Sequence, residues 1–163
     1  MMIRNSLCIG LMTFGVAGCD SHDHHEADLG VDACEHLLEG PNVAVTAASD
    51  PATATAAASL HTRLDVTLVS VDDAPGGYLA IAVSEAGTQG FFFDTAVTLA
   101  VTDANGAVVA PTASGVADPD CAEVASWFTF DLGVGTHILK LAAAEGTTDL
   151  SLVHVYADND HGH

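Results

Sequence analysis

The sequence predicts an all-β protein: a single antiparallel β-sandwich, jelly-roll-like, with about eight or nine strands and a short N-terminal helical turn. Three observations predict it. From His61 onward, apolar residues recur at every second position, the period of a half-buried strand. Turn-forming Gly, Asn, Asp and Pro interrupt that pattern roughly every 8 to 15 positions. The length of 163 residues suits one domain with one core.

The elements follow in order. Met1 to Asn5 carry the positive Arg4, and Ser6 to Gly15 form an apolar run of about ten residues, too short to cross a hydrocarbon layer of about 30 Å as a helix. Val16-Ala17-Gly18-Cys19 closes this segment with small residues before a cysteine. It resembles a bacterial lipobox, which implies cleavage before Cys19, acylation of that residue and anchoring in a bacterial membrane on the periplasmic or extracellular side. Asp20 is similar to the residue that retains lipoproteins at the inner membrane in enteric bacteria, a rule that varies, so the leaflet stays open.

Residues 1–19 are thus read as a signal peptide, 20–31 as an acidic, His-rich tether, 32–157 as the sandwich and 158–163 as a His/Asp tail. Within Val31 to Gly40, Asp32 as N-cap with Glu35 three residues on predicts one helical turn ended by Gly40-Pro41. A strand begins at Asn42, and the Ala- and Thr-rich stretch Ala47 to Ser59 reads as a loop or weak edge strand. Leu64/Val66/Leu68, Leu79/Ile81/Val83 and Val97/Leu99/Val101 alternate with more polar neighbours. Asp72 to Gly77, Glu85 to Gly87 and Asp103 to Gly106 are the turns between them, Asn105-Gly106 being a hairpin signal. Val124, Phe128 and Phe130 mark a further strand after the loop at Asp118 to Cys121. Thr136 to Ala143 follows a Gly-Val-Gly turn, and Asp149 to Tyr156, apolar on both faces, reads as a central strand.

Phe91-Phe92-Phe93, Asp103-Ala104-Asn105-Gly106, Phe128 to Leu132 and Gly135-Thr136-His137-Ile138-Leu139-Lys140-Leu141 together resemble the pre-peptidase C-terminal type of bacterial β-sandwich over residues 61–156. The resemblance implies a fold; no peptidase domain accompanies the sandwich.

Charge excludes one class of partner. Acidic residues number 22 and basic residues three; without Arg4, two basic residues oppose 22 acids, a net of −20 with histidine neutral. Nucleic acid needs clustered Lys and Arg, whereas this field concentrates small cations. Of four cysteines, Cys8 lies in the signal and Cys19 in the lipobox, leaving Cys34 and Cys121. In an oxidising compartment a disulfide between them is the default, with thiolate metal ligation beside Glu35-His36 as the alternative.

Candidate metal ligands are His22, His24, His25, His161 and His163 in the two tails and Glu35, His36 and His61 in the body. Imidazole and carboxylate suit Zn, Ni or Cu; calcium, through Asp72-Asp73, Asp103 with Asn105, or Asp118 with Asp120, ranks lower because turn chemistry explains those residues equally well. His137 and His154 share faces with leucines and read as core histidines. Nucleophile elbows and phosphate-binding Gly-Lys loops do not occur, so the chain reads as non-enzymatic. Two functions stay open: a lipid-anchored accessory or binding protein with divalent-metal affinity, and a carbohydrate- or protein-binding sandwich whose histidine tails are spacers. In the second, Trp127 or one of Phe91 to Phe93 would meet the partner.

Overall fold

A computed structural model describes residues 24–57, 60–118 and 121–157. The chain opens with helix α1 (His24–Glu39), followed by β1 (Asn42–Thr46), a 3-10 turn (Pro51–Thr53) and β2 (Thr55–Ala56). Next come β3 (Arg63–Thr67), β4 (Val69–Val71), β5 (Ala74–Val83), β6 (Gly87–Phe93) and β7 (Val97–Thr102). The last five strands are β8 (Val108–Val109), β9 (Ala113–Asp118), β10 (Cys121–Leu132), β11 (Gly135–Ala143) and β12 (Asp149–Tyr156).

One sheet has the order β1-β3-β12-β6-β10-β9 and the other β2-β5-β11-β7-β8, with β4 attached to β5. Eight of these strands are wound as a jelly roll, β3-β12-β6-β10 facing β5-β11-β7-β8, all antiparallel. The sandwich and its jelly-roll winding are therefore as the sequence predicts. Two details differ. The described residues hold twelve strands: β2, β4 and β8 have only two or three residues and carry no readable alternation, and β9, for which no strand was expected, has Val116 as its one large apolar residue. The sheets are also not purely antiparallel, for β1 pairs with β3 and β2 with β5 in parallel. The Ala-rich segment crosses between the sheets at their edge, where Asp50 accepts the Ala52 N–H at 2.7 Å to start the 3-10 turn.

The expected turn at Asp72 to Gly77 is shorter than its residues suggest. Asp72 and Asp73 alone turn the chain, both with positive φ (54° and 65°), as a two-residue hairpin with primed twist requires. Pro75, Gly76 and Gly77 then belong to β5. Gly77 is needed there because a Cβ would collide with that of Ala47, which the strand crosses closely.

The core between the sheets is built from the inward positions of each alternation, Phe91, Phe93, Phe130, Leu64, Leu79, Leu139, Leu141 and Leu152 being its largest buried members. β12 is central, between β3 and β6, and its two apolar faces have separate uses. Leu150 and Leu152 enter the sandwich core, while Val153 and Val155 point outward beneath α1.

α1 is the main departure from the sequence reading. It is a helix of 16 residues rather than one turn, so residues 24–31, read as tether, are helical, and Asp32 lies mid-helix instead of capping its start. Leu29, Ala33 and Leu37, four residues apart, bury one stripe against Phe92, Val124, Val153 and Val155. Gly30 allows the close approach, since a Cβ there would stand 2.7 Å from the Asp118 carboxylate. The helix stops at Gly40-Pro41, with the Gly40 N–H donated to the His36 carbonyl at 3.1 Å. Among the described residues no helix is long and apolar enough to cross a membrane.

Candidate functional site

Three fastenings hold α1 to the outer face of the first sheet besides its apolar stripe. The Cys34–Cys121 disulfide links it to β10, as predicted. Arg63, on β3, donates from Nη1 to the Leu37 carbonyl at 3.1 Å, placing a cation at the helix C-terminus, where the backbone dipole favours one. Its Nε also pairs with Asp65 at 2.9 Å; hydrogen bonds from Asn42 and then Arg63 hold the Asp65 carboxyl below its ordinary value.

The third fastening is the candidate site. Asp32 and His36 lie one turn apart on α1, and Asp32 Oδ1 is 3.2 Å from His36 Nε2. Its other oxygen, Oδ2, is 3.0 Å from Nδ1 of His61, which stands just before β3. The two imidazole centroids are 5.0 Å apart. One carboxylate thus bridges two imidazoles, and the side chains are 37%, 24% and 45% exposed for Asp32, His36 and His61, open enough to meet a solvated ion. His61 has a φ of 58°, a left-handed conformation that is uncommon and strained for a residue with a side chain. Its backbone N–H is held by the His154 carbonyl at 2.9 Å, which fixes the ring beside the helix.

The ligand atoms of Asp32, His36 and His61 all lie within 4.8 Å of one another. On a tetrahedral zinc ion with N and O ligands at about 2.0 to 2.2 Å, adjacent donors stand about 3.4 Å apart; here the two imidazoles meet different oxygens of Asp32, at 3.0 and 3.2 Å, so one ion would take a single carboxylate oxygen together with both rings. Two imidazoles and a carboxylate are donors for a late first-row divalent ion, and three protein ligands leave a position for water.

Of the sequence-predicted ligands, His36 and His61 come together and Glu35 does not: it is exposed on α1 and outside the cluster. Asp32 is the member of this cluster that the sequence did not offer as a candidate ligand. Its signal was the four-residue spacing to His36, which places both on one helical face once the helix extends past one turn. His24 and His25 form the start of α1. Cys19, His22, His161 and His163 lie outside the described residues.

The remaining candidates have structural roles. His154 is buried, stacks on Phe91 at 4.6 Å and bonds Gln89 Oε1 through Nε2 at 2.8 Å; burial, and then the nearby His61, push its pKa down to about 4. His137 is also buried, and its Nε2 donates to the Gly133 carbonyl at 2.8 Å. Asp103 accepts the N–H groups of Ala107 and Asn105, which hold its carboxyl below the ordinary value and form the hairpin loop. Phe92 and Trp127, the aromatic recognition candidates, belong to the layer under α1, and Trp127 Nε1 donates to the Ala117 carbonyl at 3.2 Å. The chain matches no protein-family model and no curated protein.

Proposed function

We propose that the chain is a non-enzymatic, extracytoplasmic bacterial lipoprotein, anchored through acylated Cys19, whose sandwich binds a divalent transition-metal ion (Zn, Ni or Cu) at Asp32, His36 and His61. The carrying observation is the convergence of donors from two elements 25 to 29 residues apart in sequence, 3.0 and 3.2 Å across the shared carboxylate. The acidic field raises the local cation concentration, and the histidine tails supply extra, weaker ligands. The test is calorimetric titration with zinc of the untagged chain and of His61→Ala, His36→Ala and a variant lacking residues 158–163. One strong equivalent that either alanine weakens at least tenfold, and that the deletion leaves intact, is expected. Binding that survives both alanines and vanishes with the tail would place affinity in the tail and refute this site.

A second reading is supported by a different place in the fold. A cavity of about 230 Å³ at one end of the sandwich is lined by Asp103, Asn105, Asp131, Thr136 and His137, and among the described residues the buried Nδ1 of His137 has no hydrogen-bond partner. Acceptors of this kind suit a small hydroxylated ligand such as a sugar end, and chelator would leave its binding unchanged.

A further inference from the structure

Glu123 stands on β10 two residues beyond Cys121, exposed, with Oε2 3.6 Å from Cys121 Sγ. A disulfide sulfur carries no hydrogen, so the carboxylate gains no hydrogen bond from that position. No other polar partner is found for it among the described residues. The donor atoms of Cys34, Cys121 and Glu123 nevertheless lie within 4.8 Å of one another. We infer that reduction of the Cys34–Cys121 bridge opens a second metal site, made of two thiolates and the Glu123 carboxylate, for a borderline-soft ion such as Zn²⁺.

Geometry and chemistry agree on this. On a tetrahedral ion with Zn–S of about 2.3 Å and Zn–O of about 2.1 Å, a sulfur and an oxygen stand about 3.6 Å apart, the spacing of Cys121 Sγ and Glu123 Oε2. The two Cα atoms are 5.7 Å apart, so rotation about the Cα–Cβ bonds lets both sulfurs reach one ion at the roughly 3.8 Å separation that two thiolates need. The sulfurs stay near each other after reduction because α1 keeps its other fastenings: Leu29, Ala33 and Leu37 in the apolar layer, and Arg63 on the Leu37 carbonyl.

The step balances with a dithiol as reductant. Two electrons break the S–S bond, two protons complete the two thiols, and the dithiol leaves as its own disulfide. The cation then displaces both thiol protons and forms two metal–sulfur bonds and one bond to Glu123, with water in the fourth position. Cys34 is half-buried and gives the reductant access, whereas Cys121 is buried. This site shares no residue with Asp32, His36 and His61, and so stands or falls separately.

The test uses cobalt(II) as probe, because thiolate ligation gives an intense near-ultraviolet charge-transfer band that imidazole and carboxylate do not. The full chain carries Cys8→Ser and Cys19→Ser, leaving Cys34 and Cys121 as its thiols, and is examined oxidised and after reduction with dithiothreitol and anaerobic desalting. The reduced chain is expected to take up one more cobalt equivalent than the oxidised chain, with the band. Cys34→Ser or Cys121→Ser removes the band, and Glu123→Gln, at an exposed position, weakens the extra ion about tenfold. A reduced chain with two titratable thiols and an unchanged circular dichroism spectrum, but no band, overturns the inference, as does a band that survives Cys34→Ser. Loss of cobalt from the oxidised chain alone counts against the histidine site and leaves the thiolate result readable.

Discussion

The described residues form two apolar layers of unequal depth. The sandwich interior is closed by two sheets and holds large residues such as Phe91, Phe93, Phe130 and five leucines at near-zero exposure. The layer beneath α1 is one helix thick and contains Leu29, Ala33, Leu37, Phe92, Val124, Val153 and Val155 around the disulfide. Apolar burial dominates the first, with the His154–Gln89 hydrogen bond enclosed in it. The second adds a covalent bridge, a guanidinium on the helix C-terminus and a carboxylate between two imidazoles, all at the seam where helix meets sheet. Polar and reactive groups gather in the thin layer because a shallow layer leaves them partly in water, where charge is tolerated and ligands can enter.

The largest expected effect breaks the seam. The bridge closes a loop with a sequence separation of 87, for which the chain-entropy model gives roughly 4 to 5 kcal/mol. Cys34→Ala/Cys121→Ala should lose most of that in urea unfolding, and hydrogen exchange should accelerate in α1 well before the inner strands. Equal acceleration everywhere would mean that the two layers unfold as one.

Adjacent phenylalanines sharpen the contrast, since Phe91 faces the interior and Phe92 the helix. Phe91→Ala should cost about 4 kcal/mol and Phe92→Ala about 3, because the helix can settle into the space more readily than a sheet. Both are read from denaturant midpoints, and the reverse order would refute the idea that the outer layer is the more yielding.

A smaller effect is set by pH. The His154 pKa is lowered from 6.5 to about 4 in the folded state. A depressed pKa means that the unfolded chain binds the proton more readily, so the stability from neutral His154 is full above about 6.5 and is lost as pH falls from there to about 4. The slope is about 1 kcal/mol per pH unit at most. Unfolding measured between pH 7 and 4 should show this decline in the native chain and lack it in His154→Gln. The smallest effect is Arg63→Ala, expected to cost about 1 kcal/mol through the lost hydrogen bond and charge at the end of α1.

Much of the fold was legible locally. Period-two alternation marked β3, β5, β7 and β11, the two-sided apolar run marked β12 as central, and the two cysteines left after Cys8 and Cys19 are set aside marked a bridge. The additional strands were not legible, because the two or three residues of β2, β4 and β8 contain no period and the small residues of β9 offer no apolar contrast. α1 was underestimated for a related reason: Asp, Glu and His over residues 20–28 resemble a solvated spacer, and only the sheet beneath supplies the apolar surface that its Leu29, Ala33 and Leu37 stripe covers.

What the sequence by itself determined is thus the strand class, the punctuation between strands, the sign of the electrostatic field and the identity of the bridged cysteines, all properties of residue type and near-neighbour spacing. What only the tertiary structure decided is which of the candidate residues meet. His36 has Glu35 beside it in sequence, yet neighbouring residues on a helix point about 100° apart, and its partner is Asp32 one turn earlier. His61 reaches the same carboxylate because the chain passes through β1 and the opposite sheet before entering β3, where α1 is docked across β12 and β10. Local patterns do not record such long-range juxtaposition, since it depends on how the sheets wind.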